Sequence, residues 1–307
     1  MKIAIIGSGA MGSLYGGILA ENGHEVYFID VFKEHVDAIN HKGLCIVKDN
    51  EERYIKNVKA VVDSSSIGIV DLAIVFVKST ITDIAVEGNK SILGKNTIVL
   101  TLQNGLGNIE KINKVVDISQ IIAGTSANGA SFIGPGKIRH SGHGGTVLGE
   151  ISGEKTKRIN EIYRIMNLDE LGNAKISENV MSLIWEKLIV NCGINPLSAL
   201  TNLKNGRLLE TRESEEILEN IVAEAIEVAK KSNIKLNFDN ADYCKEVCRA
   251  TSENTSSMLS DVLNNRKTEI MNINGAIVRI GKELGVDTPY NEVVTNLILL
   301  KEKSYNK

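Results

Sequence analysis

A glycine-rich turn between a predicted strand and a predicted helix constrains this chain more than any other feature. In IAIIGSGAMG, three glycines have G-x-G-x-x-G spacing, directly after an apolar run and directly before a helical segment. That context is what a dinucleotide-binding turn requires, whereas the spacing alone is weak evidence. The glycines would allow the tight turn, close approach of a pyrophosphate and close helix–strand packing. A turn without a ligand is the alternative. The predicted dinucleotide-binding residues are Gly7, Ser8, Gly9, Ala10, Met11 and Gly12.

The first half of the chain alternates strand-like and helix-like segments, as in α/β folds. The runs DLAIVFVK (71–78) and NTIVLTLQN (96–104) are almost continuously apolar, which is typical of parallel strands buried on both faces. Segments 44–49 and 54–63 are predicted as strands or a hairpin, and 129–150 as β-structure that closes the domain. We therefore predict a Rossmann-type, doubly wound parallel sheet.

Strand signals fade near residue 175 and helical periodicity takes over. Apolar residues then recur at intervals of three and four, which marks the core-facing side of a helix. One such series is Ile270, Ile273, Ile277, Ile280 and Leu284. We predict a dinucleotide-binding domain over residues 1–175 and a C-terminal all-helical domain over 176–307.

Composition argues against several classes of partner. The 307 residues are 43% hydrophobic and 24% charged, as is ordinary for a soluble protein. A net charge of −3 gives no overall attraction to nucleic acid or to an acidic membrane surface. No apolar run approaches the roughly 20 residues of a membrane helix, and no secretory signal is evident, so we expect a cytoplasmic protein. The four cysteines are too few and scattered for a disulfide framework, and we predict no metal site.

Asp30 closes the predicted second strand, about 20 residues beyond the glycines, where an acidic side chain binds the adenosine ribose of NAD. The same carboxylate would repel the 2′-phosphate of NADP, and no arginine follows, because the next residues are Val31, Phe32 and Lys33. This favours NAD(H) over NADP(H). A simple helix cap or turn at Asp30 is the alternative, and Lys33 leaves NADP(H) open.

Lys78 and Asn104 end the third and fourth main predicted strands. The carboxyl edge of a parallel sheet is where such folds bind their ligands, so both side chains are candidate site residues. The alternatives are a solvated strand end for Lys78 and a turn residue before Gly105 for Asn104.

Lys187, Asn191 and Asn195 are spaced four apart within WEKLIVNCGINPLSAL, and helical residues with this spacing share a face. A lysine among apolar residues either extends to water or is desolvated, which lowers its pKa and lets it exchange a proton near neutral pH. The amides could bind a substrate carboxylate or hydroxyl. Because Pro196 disfavours α geometry at the preceding residue, we expect the helix to kink or end at Asn195.

Ser257, Ser260 and Asp261 lie on another probable helix, and Glu269 begins the next. A carboxylate at Glu269 could pair with the lysine ammonium or bind a substrate hydroxyl. Its alternative role is that of a first-turn glutamate favoured by the helix dipole.

Together these blocks resemble the ketopantoate reductase (2-dehydropantoate 2-reductase) family over the whole chain. The matching stretches are GSGAMG (7–12), LQNGLGN (102–108), GA (129–130) followed by HSGHGGT, WEKLIVNCGINPLSAL (185–200), and SSMLSD, KTEI, INGAIV and TP within 256–289. The resemblance implies a Rossmann-type domain plus a helical domain, with the active site between them. This agrees with the fold predicted from the patterns above.

The resemblance also implies roles for individual residues. Lys187 would donate the proton, and Glu269 would hold the substrate hydroxyl or the nicotinamide ribose. The implied substrate-binding residues are Asn104, Asn191, Asn195, Asn205, Ser257 and Ser260. The cofactor would additionally contact Lys78, Asn104, Ala130 and Glu269.

The implied activity is reduction of 2-dehydropantoate to (R)-pantoate, a step toward pantothenate and coenzyme A. Typical members use NADPH and carry an arginine just after the second strand, where this chain has Val31. An NAD-dependent D-2-hydroxyacid dehydrogenase acting on another branched or aromatic 2-keto acid is therefore an alternative. A dinucleotide-binding protein without turnover is another. Helical domains of this kind often dimerise, so the sequence also allows a homodimer.

Overall fold

The predicted strands build one large sheet and one small sheet. In this computed structural model, which describes residues 1–305, strands β1 to β12 are Lys2–Ile6, Glu25–Ile29, Leu44–Lys48, Glu51–Ile55, Val58–Val61, Leu72–Val75, Ile98–Thr101, Ile121–Ser126, Gly129–Gly134, Lys137–Gly142, Thr146–Glu150 and Ala174–Ile176. Helices α1 to α11 are Ala10–Glu21, Lys33–Lys42, Thr82–Gly88, Asn108–Asn113, Lys157–Met166, Val180–Thr201, Arg212–Lys231, Asp242–Ala250, Ser257–Leu263, Asn274–Leu284 and Pro289–Lys303.

The large sheet has eight strands in the order β12-β11-β8-β7-β6-β1-β2-β5. Its strands pair in parallel except for the antiparallel β8–β11 pair. Successive side chains of β1 enter different apolar clusters, with Ile3 and Ile5 in one and Ala4 and Ile6 in the other. Burial on both faces explains why this strand reads as a continuous apolar run. The Rossmann-type doubly wound fold is therefore confirmed.

The small sheet has the order β4-β3-β10-β9. The β3–β4 hairpin lies in it, whereas β5, which follows directly, pairs with β2 in the large sheet. Leu44, Ile46 and Ile55 of this sheet pack around Gly17 of α1, where an added Cβ would lie 2.9 to 3.0 Å from each of them. The small sheet and the large sheet therefore share the core around α1.

The chain divides into two compact units. The first comprises Met1–Gln103 and Asn108–Val180, and the second comprises Asn104–Gly107 and the chain from Met181 onward. The second unit is helical around α6, whose Ile189 and Ile194 belong to one apolar cluster with residues of the other helices. Among the described residues, no helix is both long and apolar enough to cross a bilayer. All four cysteines are buried free thiols.

Helix α6 does not end at Asn195, so that part of the sequence expectation was wrong. The helix continues through Pro196 to Thr201. Proline has no N–H, so the carbonyl of Cys192, four residues earlier, loses its helical donor. The fully buried Asn274 replaces it, because its Nδ2 donates to the Cys192 carbonyl over 3.1 Å. This bond satisfies the backbone of α6 and ties it to the start of α10.

Replacing Asn274 with alanine is expected to lower the free energy of unfolding by about 1–3 kcal/mol, because the Cys192 carbonyl would be buried without a donor. Adding Pro196→Ala should recover part of this loss, since residue 196 would then supply a backbone N–H. Urea unfolding monitored by Trp185 fluorescence measures both effects. A double variant no more stable than Asn274→Ala alone would contradict this account of the proline.

Candidate active site

The glycine-rich turn has the close contacts and the open space that a dinucleotide requires. Gly7 has φ +90°, and a Cβ there would lie 2.6 Å from the Val77 backbone nitrogen. A Cβ on Gly12 would lie 2.1 Å from the Gly7 carbonyl oxygen. Gly9, by contrast, is exposed, and no other group lies within 4 Å of the point that a Cβ there would occupy. The turn is therefore tightly packed inside and open at Gly9, where a phosphate can approach the backbone.

Asp30 follows β2 and holds the same turn. One carboxylate oxygen accepts from the Ser8 N–H over 2.9 Å and from the Ser8 hydroxyl over 3.3 Å. The other accepts from the Phe32 N–H over 3.0 Å. A carboxylate has about four acceptor sites, so acceptor capacity for a ribose hydroxyl remains. The next side chain, Val31, is 86% exposed.

The ends of β6 and β7 are joined by the Gln103 amide. Its Nε2 donates to the Val77 carbonyl over 2.6 Å and to the Thr82 hydroxyl over 2.8 Å. This holds the turn that carries the half-buried Lys78, next to the segment that packs on Gly7. Ala130, also half-buried, lies in β9 opposite His140 of β10. Lys78 and Ala130 therefore belong to the first unit with the glycine-rich turn, whereas Asn104 and Glu269, the other predicted cofactor contacts, belong to the second.

Lys187 lies in α6 of the second unit, on the face predicted from the i, i+4 spacing. Burial lowers the pKa of its ammonium to about 8, and the Glu269 carboxylate acts in the opposite direction by raising it. The neighbouring Glu186 carboxylate accepts from both nitrogens of Asn237, each over 2.8 Å. The structure thus brings Lys187 and Glu269, which are 82 residues apart in the sequence, into electrostatic contact.

Asn272, which sequence reasoning missed, joins the Asn104–Gly107 segment to the turn that carries Glu269, both within the second unit. Glu269 immediately precedes the short 3₁₀ helix Ile270–Asn272. The Leu106 N–H donates to the Asn272 carbonyl over 2.9 Å, and Asn272 Nδ2 donates back to the Leu106 carbonyl over 3.1 Å. This reciprocal pair fixes the Asn104–Gly107 segment against the turn that presents Glu269. Asn272 stands beside the KTEI block, but nothing in its local pattern indicates a partner 166 residues away.

The backbone next to Glu269 is also anchored on its other side. Glu302 of α11 accepts from the Thr268 N–H over 2.8 Å and from its hydroxyl over 2.6 Å. Thr268 is 3% exposed. Because the residues on both sides of Glu269 are held, the carboxylate projects from a well-supported turn.

The remaining predicted substrate residues occupy different surroundings. Asn191 is half-buried and Asn195 is buried on α6, whereas Ser257 and Ser260 are exposed on α9. Asn205 donates from Nδ2 to the Thr251 hydroxyl over 2.9 Å. Its Oδ1 is buried and has no hydrogen-bond partner in the part of the chain that the structure describes.

The second unit therefore presents an ammonium with a pKa near neutrality, an opposing carboxylate and neutral amides. Such a lysine can donate a proton and regain it at physiological pH. The ammonium can also stabilise negative charge on a carbonyl oxygen. The first unit offers a turn suited to a dinucleotide. These groups are suited to carbonyl reduction with a nicotinamide cofactor.

Comparisons with known proteins agree over the whole chain. The family sequence model for ketopantoate reductase PanE/ApbA matches residues 3–153, and the model for its C-terminal part matches residues 179–302. A 2-dehydropantoate 2-reductase of Lactococcus lactis is 36% identical, covering 99% of this chain and 98% of that protein. A PanE/ApbA family ketopantoate reductase structure from Ralstonia eutropha is 34% identical with a TM-score of 0.91, covering 100% of both chains. A ternary structure of D-mandelate dehydrogenase with NADH and anilino(oxo)acetate is 33% identical with a TM-score of 0.93, covering 100% of both chains.

Proposed function

Because the chain belongs to the ketopantoate reductase family, we propose that it reduces 2-dehydropantoate to (R)-pantoate with a nicotinamide cofactor. The family makes the chain an oxidoreductase, and its relatives at 29–36% identity are named 2-dehydropantoate 2-reductases. The observation that carries the proposal is Lys187, whose pKa lies at about 8 beside the Glu269 carboxylate. It supplies the proton that reduction of a ketone requires.

The cofactor fits the glycine-rich turn. The open backbone at Gly9 would receive the pyrophosphate, and the N-terminus of α1 would contribute its free N–H groups. Asp30 would accept from the adenosine ribose, while Lys78 and Ala130 would line the remainder. When bound, the nicotinamide supplies the hydride that reduces the substrate ketone. We infer a preference for NADH, since Asp30 is acidic and Val31 replaces a phosphate-binding arginine.

Lys187 is proposed to act as the general acid. Its ammonium donates a hydrogen bond to the ketone oxygen and then gives this oxygen a proton as the alcohol forms. At pH 7 a lysine with a pKa of about 8 is roughly nine-tenths protonated, so the acid form dominates and the amine regains its proton readily. Glu269 would accept from a substrate hydroxyl or from the cofactor ribose while keeping Lys187 charged.

Amide and hydroxyl groups are proposed to bind the substrate. Asn191 and Asn195 share the face of α6 with Lys187 and would donate to the substrate without adding a charge. Ser257 and Ser260, exposed on α9, would donate to the carboxylate. Asn104, held against the Glu269 turn through Asn272, and Asn205, whose Oδ1 is unpaired, would contact the remaining polar atoms.

Steady-state kinetics with several substrates test this proposal. The values of kcat/KM for 2-dehydropantoate, 2-ketoisovalerate and phenylglyoxylate should be measured with NADH and with NADPH. We expect 2-dehydropantoate to have the highest value. A higher value for phenylglyoxylate or 2-ketoisovalerate would assign the chain to the second candidate activity.

That second candidate is an NAD-dependent D-2-hydroxyacid dehydrogenase acting on another branched or aromatic 2-keto acid. It is favoured by Asp30 and by the likeness to D-mandelate dehydrogenase, a relative whose structure contains NADH. Both candidates use Lys187 and the same cofactor turn, so only the substrate comparison separates them.

The rate of ketone reduction is expected to fall as the pH rises through about 8. The reason is that the reaction needs the Lys187 ammonium, which exists below its pKa of about 8 and is lost above it. Oxidation of the alcohol needs the neutral amine, so its rate should rise over the same range. Profiles of kcat/KM against pH in both directions measure this, with a slope of about tenfold per pH unit beyond the turning point.

Glu269→Gln should move this turning point to lower pH, because the Glu269 carboxylate raises the pKa of Lys187. The variant should consequently lose more activity at pH 8 than at pH 6. An unchanged turning point would show that another group titrates.

For the assembly we propose a homodimer formed through α11. Tyr290, Val293, Leu297 and Leu300 are 42%, 56%, 44% and 61% exposed. Their spacing of three, four and three places them on one face of α11, and two copies of this face related by a two-fold axis would form an isologous pair. Sedimentation of the wild type and of Leu297→Glu tests whether α11 forms the dimer, and a monomeric wild type would refute it.

The proposed site of action is the cytoplasm.

A further inference from the structure

We propose that His35 is a positioning residue for the dinucleotide turn, acting through Ser13 on the carbonyl of Ser8. The inference rests on the proposed use of a nicotinamide cofactor and adds a residue that lies outside the glycine motif. His35 lies in the first turn of α2 and is 1% exposed. Ser13 and Ser8 are both 0% exposed. None of the three is accessible for binding a ligand through its side chain, so their action has to pass through the backbone.

The hydrogen bonds define the protonation of the His35 ring. Nδ1 accepts from the Gly136 N–H over 2.9 Å, so this nitrogen carries no proton. The Ser13 hydroxyl donates to the Ser8 carbonyl over 2.6 Å, so its oxygen can only accept from His35. Nε2 lies 3.3 Å from this oxygen and is therefore the protonated nitrogen. The ring is the neutral Nε2–H tautomer, donating at one end and accepting at the other.

The N–H, hydroxyl and carbonyl groups of Ser8 are therefore all hydrogen-bonded to other residues of the protein. Asp30 accepts from its N–H and its hydroxyl, and Ser13 donates to its carbonyl. A trans peptide places the carbonyl and the following N–H on opposite sides. Because the Ser8 carbonyl points inward to Ser13, the Gly9 N–H points away from Ser13, to the opposite side of the peptide. The His35–Ser13 pair thus orients a backbone donor toward the phosphate position.

The other end of the His35 ring reaches the small sheet. Gly136 lies in the turn between β9 and β10, and the His35 ring packs 5.1 Å from the Phe132 ring of β9. Ala130, a proposed cofactor contact, is in the same strand. His35 therefore links the glycine-rich turn with the hairpin that carries Ala130. Desolvation lowers the pKa of His35, although the Asp30 carboxylate and a direct interaction with the Ser8 backbone oppose this, so the neutral ring is favoured.

Binding of NADH in the absence of a keto acid, followed by its fluorescence, tests the inference without requiring turnover. Ser13→Ala removes the donor to Ser8. His35→Asn places an amide oxygen near the position of Nδ1 but has no group that reaches Ser13, whereas His35→Gln can place an amide donor near Nε2. We expect Ser13→Ala and His35→Asn each to raise the Kd for NADH at least about fivefold. His35→Gln should bind more tightly than His35→Asn.

Two further variants separate positioning from general stability. Because both residues act on the same Ser8 carbonyl, the losses of NADH affinity in Ser13→Ala and His35→Asn should combine to less than their sum in Ser13→Ala/His35→Asn. Thr97→Val removes another buried bond from a hydroxyl to a carbonyl, that of Thr97 to Val70 over 2.6 Å, at the amino end of β7. It should lower Tm without changing the Kd for NADH.

Two results would overturn the inference while leaving the proposed function intact. One is a wild-type Kd for NADH in both Ser13→Ala and His35→Asn, with only Tm lowered. The other is additive loss of affinity in the double variant. If the wild type bound neither NADH nor NADPH, both the proposed function and this inference would fail.

Discussion

Replacing Lys187 with alanine is expected to lower turnover by at least about 10²-fold, the usual scale of general acid catalysis. The variant should bind NADH as the wild type does, because the cofactor turn belongs to the first unit. The loss should appear in kcat as well as in kcat/KM, since the proton is transferred in the transition state. Stopped-flow measurement of NADH oxidation with 2-dehydropantoate, together with an NADH binding titration, measures both quantities.

Two lysine variants serve as controls for this result. Lys187→Arg keeps the positive charge, but a guanidinium cannot give up its proton at neutral pH, so it should remain strongly impaired. The exposed Lys231 near the end of α7 can be replaced with alanine without loss. Turnover near that of the wild type in Lys187→Ala would remove Lys187 from the reaction.

The second large expected effect is on cofactor choice. We expect the wild type to favour NADH. Combining Asp30→Asn with Val31→Arg should lower the ratio of kcat/KM with NADH to kcat/KM with NADPH by about 10²-fold, in favour of NADPH. The carboxylate repels a 2′-phosphate, and arginine can bind that phosphate through two parallel hydrogen bonds. Val31 is 86% exposed, so an arginine can be accommodated there. Asparagine can still accept from the Ser8 N–H that Asp30 holds.

Val31→Arg alone is the matched comparison, because it adds the cation and leaves the Asp30 charge in place. It should shift the ratio less than the double variant does. If the wild type already preferred NADPH strongly, the Asp30 carboxylate would not discriminate between the two cofactors.

The fold could be predicted because its signals are local. The glycine-rich turn, the apolar strands buried on both faces and the helical periodicity of the second half each appear within a short segment. The predicted end of α6 at Asn195 was wrong, because the side chain that compensates for Pro196 lies far away in the sequence. The carbonyl released by Pro196 is satisfied by Asn274, 82 residues beyond Cys192, and no local pattern predicts that bond.

The site could be predicted only in part for the same reason. The i, i+4 spacing placed Lys187, Asn191 and Asn195 on one helix but left open whether the lysine extends to water. The family resemblance suggested that Lys187 donates the proton, and the structure adds its electrostatic interaction with Glu269. Asn272 and His35 were missed, because each acts through a backbone group far away in sequence. The assignment of the substrate-binding residues stays a prediction.

The most direct test of the account is a single-turnover reaction of the wild-type protein with bound NADH and 2-dehydropantoate. The account predicts that every bound NADH is oxidised and that an equal amount of (R)-pantoate forms, at a rate that falls as the pH rises through the Lys187 pKa of about 8. NADH that binds but is not consumed, with 2-dehydropantoate or with any other 2-keto acid, would contradict it and leave a dinucleotide-binding protein without turnover.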